Sequence, residues 1–246
     1  MAYERLAEIL KDSSRIVFFG GAGVSTASGI PDFRSADGLY QQKYRRKLSP
    51  EEMVSHSFFV NDPEDFFSFY REKLVYPEAQ PNGCHRALAK LEEMGKLLSV
   101  VTQNIDGLHQ KAGSKRVWEL HGSVLRNHCT RCRRPFGVEA VLEAEGVPRC
   151  PVCGGIIKPD VVLYEEGLDE EVINGAVADI RRADTLIIGG TSLVVYPAAG
   201  FIYYFKGKHL VLINKSETSA DDLAELVIRD DIARVMEEAV SALTAV

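Results

Sequence analysis

Residues 20–35 read Gly-Gly-Ala-Gly-Val-Ser-Thr-Ala-Ser-Gly-Ile-Pro-Asp-Phe-Arg-Ser and follow the apolar run Arg15-Ile-Val-Phe-Phe19. A short apolar run of this kind is typical of a buried parallel strand, and Gly21-x-Gly23 permits a tight turn with close backbone approach. Backbone N–H groups at the start of a following helix would face a pyrophosphate. The stretch therefore predicts a dinucleotide-binding α/β fold.

The same stretch departs from the usual dinucleotide fingerprint. Thr26 stands where the third glycine belongs. An acidic residue that holds the ribose is expected about 20 residues further on. The chain there runs instead through the basic segment Tyr40-Gln-Gln-Lys-Tyr-Arg-Arg-Lys47. We infer a bound nucleotide that is not used for ordinary hydride transfer.

The composition is that of an ordinary soluble globular protein, with 246 residues, 46% hydrophobic and 26% charged. A formal net charge of −6 gives no overall attraction for nucleic acid or an anionic membrane. The N-terminus, residues 1–10, has the spacing of an amphipathic helix and contains acids, unlike a signal peptide. We expect a cytoplasmic protein, with a monomer favoured, that has no nucleic-acid or membrane partner and no disulfides.

Three further apolar runs, residues 97–101, 185–188 and 209–213, predict buried strands, with helical spacing at residues 85–94 and 170–182. This alternation is typical of an α/β domain with a parallel sheet. Two segments interrupt it, and we interpret them as one smaller module. The predicted division is a Rossmann-like domain at residues 1–35, 84–121 and 161–246, with a small domain, part helical and part zinc-binding, at residues 36–83 and 122–160.

The motifs Cys129-x-x-Cys132 and Cys150-x-x-Cys153, with 17 residues between them, match the spacing of a four-thiolate zinc site. Four protein ligands leave no open position, so the ion is expected to be structural. The alternatives are unconnected buried thiols or a redox pair, and two such motifs in one segment disfavour both. Cys84 is interpreted as a core thiol. His128, next to Cys129, is a candidate fifth ligand, but the thiolate set is complete without it.

Polar residues follow the predicted strands, at Thr102-Gln-Asn-Ile-Asp106, Gly189-Gly-Thr-Ser192 and Asn214. An open parallel sheet has its binding crevice at the carboxyl ends of its strands. Asn104 or Asp106 either binds a ligand or caps the next helix, and the residues alone leave both open. His121 lies at the junction of the two predicted modules, where a general base is the favoured interpretation over a structural histidine.

These motifs together resemble the sirtuin family over nearly the whole chain. The resemblance rests on residues 21–25 and 29–34, Thr102-Gln-Asn-Ile-Asp106, His121-Gly122, the paired cysteines, residues 191–199 and Asn214. It implies an NAD-dependent protein-lysine deacylase with an inverted-order Rossmann domain and one structural zinc ion. In that family the acyl-lysine oxygen attacks the nicotinamide ribose, nicotinamide leaves, and a histidine deprotonates a ribose hydroxyl.

Residue by residue, the resemblance implies His121 and Asn104 as catalytic residues. The cofactor-binding residues that it implies are Ala22, Gly23, Thr26, Asp32, Phe33, Arg34, Gln103, Asn104, Ile105, Asp106, His121, Thr191, Ser192, Asn214 and Ile232. The metal ligands are Cys129, Cys132, Cys150 and Cys153. Acetylated protein or peptide lysines are the implied partners.

The resemblance also places an extended peptide substrate along Val162, Leu163 and Tyr164. Tyr164-Glu165 stands where Phe-Gly is usual in the family, which leaves the shape of this edge open. Phe67 and Tyr70 occupy the positions of the Tyr-x-x-Arg pair that binds acidic acyl groups, so we expect deacetylation, with other uncharged acyl groups as an alternative. Protein ADP-ribosylation on the same fold and a non-enzymatic zinc-ribbon module are further alternatives.

Overall fold

The structure is a computed structural model that describes residues 2–32 and 48–244. The strands are β1 (Ile16–Gly20), β2 (Leu97–Thr102), β3 (Val117–Glu119), β4 (Gly122–Cys129), β5 (Pro135–Phe136), β6 (Ile157–Val161), β7 (Thr185–Gly189), β8 (His209–Ile213) and β9 (Leu226–Ile228). The helices are α1 (Ala2–Asp12), α2 (Pro50–Met53), α3 (His56–Asn61), α4 (Pro63–Lys73), α5 (Gly83–Glu93), α6 (Leu108–Lys111), α7 (Glu139–Leu142), α8 (Glu170–Arg182) and α9 (Ile232–Thr244).

A six-stranded parallel sheet, in the order β3-β2-β1-β7-β8-β9, forms the larger part of the molecule. The Rossmann-like α/β prediction is therefore confirmed, and the four apolar runs are its central strands β2, β1, β7 and β8. Gly20 pairs with Thr102 and Gly189, and Gly189 with Ile213, so these strands end at one edge. The loops that follow them consequently begin side by side.

Both faces of this sheet are covered, as the all-apolar strands require. Successive side chains of β1 point to opposite faces. Ile16 and Phe18 accordingly pack with α1, α5 and α9, whereas Val17 and Phe19 pack with α8 and the 3₁₀ helix Ala198–Tyr204. The predicted amphipathic N-terminal helix is α1, and the other two predicted helices are α5 and α8.

The segment after β1 does not lead directly into the α-helix that the glycine turn predicted. It forms two short 3₁₀ helices, Ala22–Val24 and Thr26–Ser28. Gly29 then adopts the left-handed conformation, with φ 82°, and Pro31 follows without a backbone donor, so a helix cannot continue. The expectation of a helix start at the glycine turn was wrong, although the turn itself is present.

The two inserted segments pack on each other. The helices α2, α3 and α4 come from the first, and the second contributes the antiparallel sheet β5-β4-β6. Phe59, Phe66 and Tyr70 share one apolar core with Cys129 and Ile157. The helical part and the cysteine part are therefore a single module. Within the described ranges no helix is long and apolar enough to cross a bilayer.

Candidate active site

The glycine turn after β1 touches the loop after β7 backbone to backbone. Gly23 N–H donates to the Gly190 carbonyl at 2.8 Å. A Cβ on Gly23 would lie 2.9 Å from the Gly190 Cα, and one on Gly190 would lie 2.4 Å from the Val24 nitrogen. Gly190 also has φ 59°, in the left-handed region that glycine favours. The close approach that Gly21-x-Gly23 indicated thus exists, and Gly190 is an equal part of it.

Ser25 joins the turn to the residues after β2. Its hydroxyl donates to the Asp106 carboxylate at 2.7 Å and accepts from the Asn104 amide at 3.0 Å. Ser25 is 1% exposed, so this network is shielded from solvent. The sequence analysis did not assign Ser25. The sequence signal for Ser25 is a serine close after Gly21-x-Gly23, in a chain whose next predicted strand ends in amides and a carboxylate.

Asp106 accepts from the backbone at the start of α6, as the capping interpretation predicts, while its role toward a ligand stays a prediction. One carboxylate oxygen accepts from Ser25, and the other accepts from the Leu108 backbone N–H at 2.9 Å, at the start of α6. Burial raises the pKa of Asp106, while these two hydrogen bonds lower it in part. The carboxylate therefore stands in a partly desolvated site where an additional donor would be favourable.

His121 lies in the two-residue turn between β3 and β4, at the same edge of the sheet. Its Nδ1 is 3.0 Å from the carbonyl oxygen of Gln103, and its own carbonyl accepts from the Val162 N–H at 3.0 Å. A carbonyl only accepts hydrogen bonds, so Nδ1 carries the proton and Nε2 is the basic nitrogen of the neutral ring. Burial lowers the pKa of His121, which favours the neutral form.

Further residues implied by the resemblance lie at the same edge. The Gln103 amide donates to the Thr191 hydroxyl at 3.0 Å, which links the loops after β2 and β7. Asn214 follows β8 and donates to the Ser216 carbonyl. Ile232 begins α9 and lies beside the end of β7. A Cβ added to Gly189 would lie 2.1 Å from the Cδ1 atom of Ile232. Phe33 and Arg34 lie outside the described residues, whereas Asp32 is the last residue described before them.

The expected substrate segment continues from β6. The Tyr164 N–H donates to the Val54 carbonyl and the Tyr164 carbonyl accepts from the His56 N–H, each at 3.0 Å. Both main-chain groups of Tyr164 are thus already bonded to the helical part. Val162, bonded to the His121 carbonyl through its N–H, is the segment's contact with the histidine.

Glu165 explains how the chain accommodates the departure from Phe-Gly. It has φ 76°, in the left-handed region where a glycine is unstrained and another residue is not. Its carboxylate accepts from the Ser57 N–H at 2.8 Å and from the Ser57 hydroxyl at 2.7 Å. These two bonds offset the backbone strain and fasten the segment to α3.

The four cysteine sulfurs converge. All four Sγ atoms lie within 4.8 Å of one another. The Cys129 and Cys153 sulfurs are 3.4 Å apart and those of Cys132 and Cys150 are 3.7 Å apart, distances suited to thiolates around one tetrahedral zinc ion. Backbone N–H groups of Cys132 and Arg131 also point at the Cys129 sulfur and lower its pKa. The cluster fits one structural zinc ion.

His128 is not part of this cluster. Its Nδ1 lies against the Asp160 carboxylate in the neighbouring strand, in agreement with a thiolate set that is complete without it. Cys84, in contrast, is fully buried in the apolar core, and burial raises the pKa of its thiol, as a core cysteine requires. The metal cluster therefore draws on the paired cysteines alone.

The two positions examined for acyl preference are both fully buried. Phe67 and Tyr70 pack with the aromatic core of the small module. The nearby cation Arg71 donates to the carbonyls of Val141 and Gly146, at 3.2 and 2.8 Å, and so holds the cysteine part. Neither Phe67 nor Tyr70 carries a positive charge, so these two positions offer no partner for an acidic acyl group.

The parallel sheet, the glycine turn, the polar cluster at the strand ends and the four-thiolate module define a nucleotide-binding α/β protein with a structural metal module. The chain belongs to the Sir2 family, whose model matches residues 21–197. It is 66% identical over 233 residues to an NAD-dependent protein deacetylase of Clostridium perfringens, covering 94% of this chain and 96% of that protein. It is 47% identical to an NAD-dependent protein deacetylase of Staphylococcus aureus, covering 95% of this chain and 96% of that protein.

Solved structures of the family agree in fold. A Sir2 complex with a p53 peptide and NAD⁺ matches with a TM-score of 0.87 and 39% identity, over 100% of both chains. A Sir2 complex with a deacetylated p53 peptide and acetyl ADP-ribose matches with a TM-score of 0.89 and 38% identity, over 98% of both chains. The likeness spans both modules, so the family shares the whole architecture.

Proposed function

We propose that this protein is an NAD-dependent protein-lysine deacetylase, which transfers the acetyl group of acetyl-lysine to ADP-ribose and releases nicotinamide. The observation that carries the proposal is the placement of His121. Its ring is oriented by the Gln103 carbonyl, and its backbone carbonyl is bonded to Val162 in the substrate segment. A base is thereby held between the loop after β2 and the place where a peptide would lie.

NAD, when bound, supplies an electrophilic ribose carbon with nicotinamide as the leaving group. The protein's part is to bind, orient and exclude water. Ala22, Gly23 and Thr26 line the turn where a pyrophosphate fits against the backbone. Asp32 follows the turn. Phe33 and Arg34 lie outside the described residues, and the resemblance assigns both to the cofactor, with Phe33 shielding the ribose from water.

The polar cluster after β2 serves the nicotinamide half. Asn104 and Asp106, joined through Ser25, offer an amide and a carboxylate to a carboxamide, with Ile105 between them. The Gln103 side chain contacts the ribose. Thr191, Ser192, Asn214 and Ile232, at the ends of β7 and β8 and the start of α9, hold the adenosine half.

His121 removes a proton from a ribose hydroxyl. Burial lowers its pKa, so the ring is neutral at the pH of a cytoplasm and Nε2 is available as the base. The Nδ1–H bond to Gln103 stabilises the ring once it carries both protons. The lowered pKa and the Nδ1–H hydrogen bond both suit a base that accepts a proton and returns it within one turnover.

The substrate is an acetylated lysine in an extended peptide lying along Val162, Leu163 and Tyr164, with the Val162 carbonyl accepting from the acyl-lysine N–H. A Sir2 relative that holds a p53 peptide and NAD⁺ supports a peptide substrate. Uncharged acyl groups are preferred, because Phe67 and Tyr70 offer no cation.

The zinc ion held by Cys129, Cys132, Cys150 and Cys153 is structural. The same proposal includes the division into residues 1–35, 84–121 and 161–246 against 36–83 and 122–160, a cytoplasmic location, a monomer, and no nucleic-acid or membrane partner.

The test is nicotinamide release from NAD in the presence of acetylated and succinylated versions of one lysine peptide. We expect release that depends on the acetyl peptide, faster than with the succinyl peptide, and reduced by about 100-fold or more in His121→Ala, the range of a lost general base. Zinc content and the melting temperature serve as controls for folding. With labelled NAD, label on the protein instead of on released acetyl ADP-ribose would identify an ADP-ribosyltransferase and contradict the proposal.

A further inference from the structure

The turn after β1 has a partner that the proposed function does not use. Asn82 lies immediately before α5, and its side-chain amide donates to the Val24 carbonyl at 2.8 Å and to the Ser28 hydroxyl at 2.9 Å. Asn82 is 8% exposed, so water competes little for these bonds. One side chain therefore bridges the beginning and the end of the turn.

The same residue is the N-cap of α5. Its side-chain oxygen accepts from the Cys84 N–H at 3.0 Å, and its own N–H donates to Nδ1 of His85 at 3.3 Å. The amide nitrogen and the amide oxygen of Asn82 thus have separate tasks. The oxygen anchors the residue on α5, and the nitrogen holds the turn against that anchor.

The turn depends on such external support. Its two 3₁₀ helices contain three residues each, and 3₁₀ hydrogen bonds are weaker than those of an α-helix. On the side of the sheet, Gly23 is bonded to Gly190 and Ser25 to Asp106. Asn82 supplies the corresponding attachment on the side of α5, at Val24 and Ser28.

We propose that Asn82 is a positioning residue for NAD, which it serves by fixing the turn that receives the pyrophosphate. The inference rests on the proposed function for its ligand, but the attachment itself is a property of the free protein. Asn82, which precedes α5 and is distant in sequence from the glycine turn, thereby has a role in the affinity for NAD.

The test uses Asn82→Ser and Asn82→Asp. Serine and aspartate are both good N-caps, so α5 keeps its cap while the amide donor is lost. We expect KM for NAD to rise about five- to twentyfold in both variants, with kcat and the peptide KM within about twofold. Gln80→Glu is the matched control for the amide-to-carboxylate change, because within the described ranges the Gln80 amide donates to the nearby Glu78 carbonyl alone.

Hydrogen–deuterium exchange without NAD reads the turn directly. The N–H groups of Ser28, Gly29 and Ile30 are bonded within the turn, and we expect them to exchange about tenfold faster in Asn82→Ser than in the wild type. Unchanged exchange would overturn the inference whatever the activity. Faster exchange with an unchanged KM for NAD would refute the role in NAD affinity. A wild-type protein that consumes no NAD would refute the proposed function, while the exchange result would still decide the attachment.

Discussion

At the scale of single residues, Ser25 and Asp106 show how two short stretches far apart in sequence become one site. The Ser25 hydroxyl connects Asp106 to Asn104, and Asp106 also accepts from the Leu108 N–H at the start of α6. The amide-rich motif after β2 could be identified in the sequence as a candidate site. Its hydrogen-bond partners could not, because they come from a loop about 80 positions away that only the parallel pairing of β1 with β2 brings alongside.

His109 offers a prediction about pH at this scale. It is 1% exposed, its ring centroid lies 4.7 Å from that of His85 and 6.2 Å from that of Phe18, and neither of its ring nitrogens has a partner within the described residues. Burial lowers the pKa of His109 well below its usual value and that of His85 to about 4. Each ring is therefore neutral when folded and protonated more readily when unfolded.

We expect the free energy of unfolding to fall as the pH drops below the unfolded histidine pKa of about 6.5 toward the lower folded values, because the unfolded chain then binds more protons. His109→Phe removes one such group without breaking a known hydrogen bond. We expect its urea-unfolding free energy to change less between pH 7 and pH 5 than that of the wild type. An equal loss in both proteins would contradict this explanation.

At the scale of elements, the β1 turn and the β7 loop meet backbone to backbone at Gly190. Gly190→Ala would place a Cβ 2.4 Å from the Val24 nitrogen at φ 59°. Gly95→Ala is a matched control, since Gly95 has φ 70° and nothing lies within 4 Å of its Cβ position. The pair therefore separates backbone strain from steric overlap.

We expect Gly95→Ala to lower the free energy of unfolding by about 1 kcal/mol, the cost of a left-handed non-glycine residue. Gly190→Ala should lower it by about 2–5 kcal/mol, because overpacking adds to the same strain. Urea unfolding followed by circular dichroism measures both. Equal losses of unfolding free energy in the two variants would mean that the β1 turn and the β7 loop can move apart at little cost.

The helical elements show where sequence patterns suffice. Helical spacing predicted α5 and α8. In the structure Asp169 accepts from the N–H groups of Glu171 and Val172 as an N-cap should. The segment after Gly21 was wrongly expected to be a helix start. Its conformation is set by contacts with Gly190, Asp106 and Asn82, which no local pattern contains.

At the scale of the whole molecule, the cysteine cluster supports the small module and through it the peptide edge. Cys129 and Cys150 are buried in the core that also contains Phe66, Val161 and Leu163. Loss of the metal should therefore loosen the helical part and the substrate segment together, although the cluster performs no chemistry itself.

We expect about one zinc ion per chain and its loss in Cys150→Ser, with a lower melting temperature and a higher KM for the acetylated peptide. Cys84→Ala is the matched control, because Cys84 lies in the core of the larger domain, away from the cluster. Its zinc content should equal that of the wild type. Zinc retained by Cys150→Ser would contradict the four-thiolate site.

The sequence by itself determined the parallel α/β sheet, the two paired-cysteine motifs and the set of polar residues at the strand ends. These follow from periodicity, glycine geometry and ligand spacing, which are local properties of the chain. Only the tertiary structure decided how Ser25, Asp106 and Asn104 connect, how Glu165 replaces a glycine by bonding Ser57, and how Asn82 holds the turn. Those are contacts between segments distant in sequence, and they exist only after the packing of the sheet, α5 and the small module has set the distances.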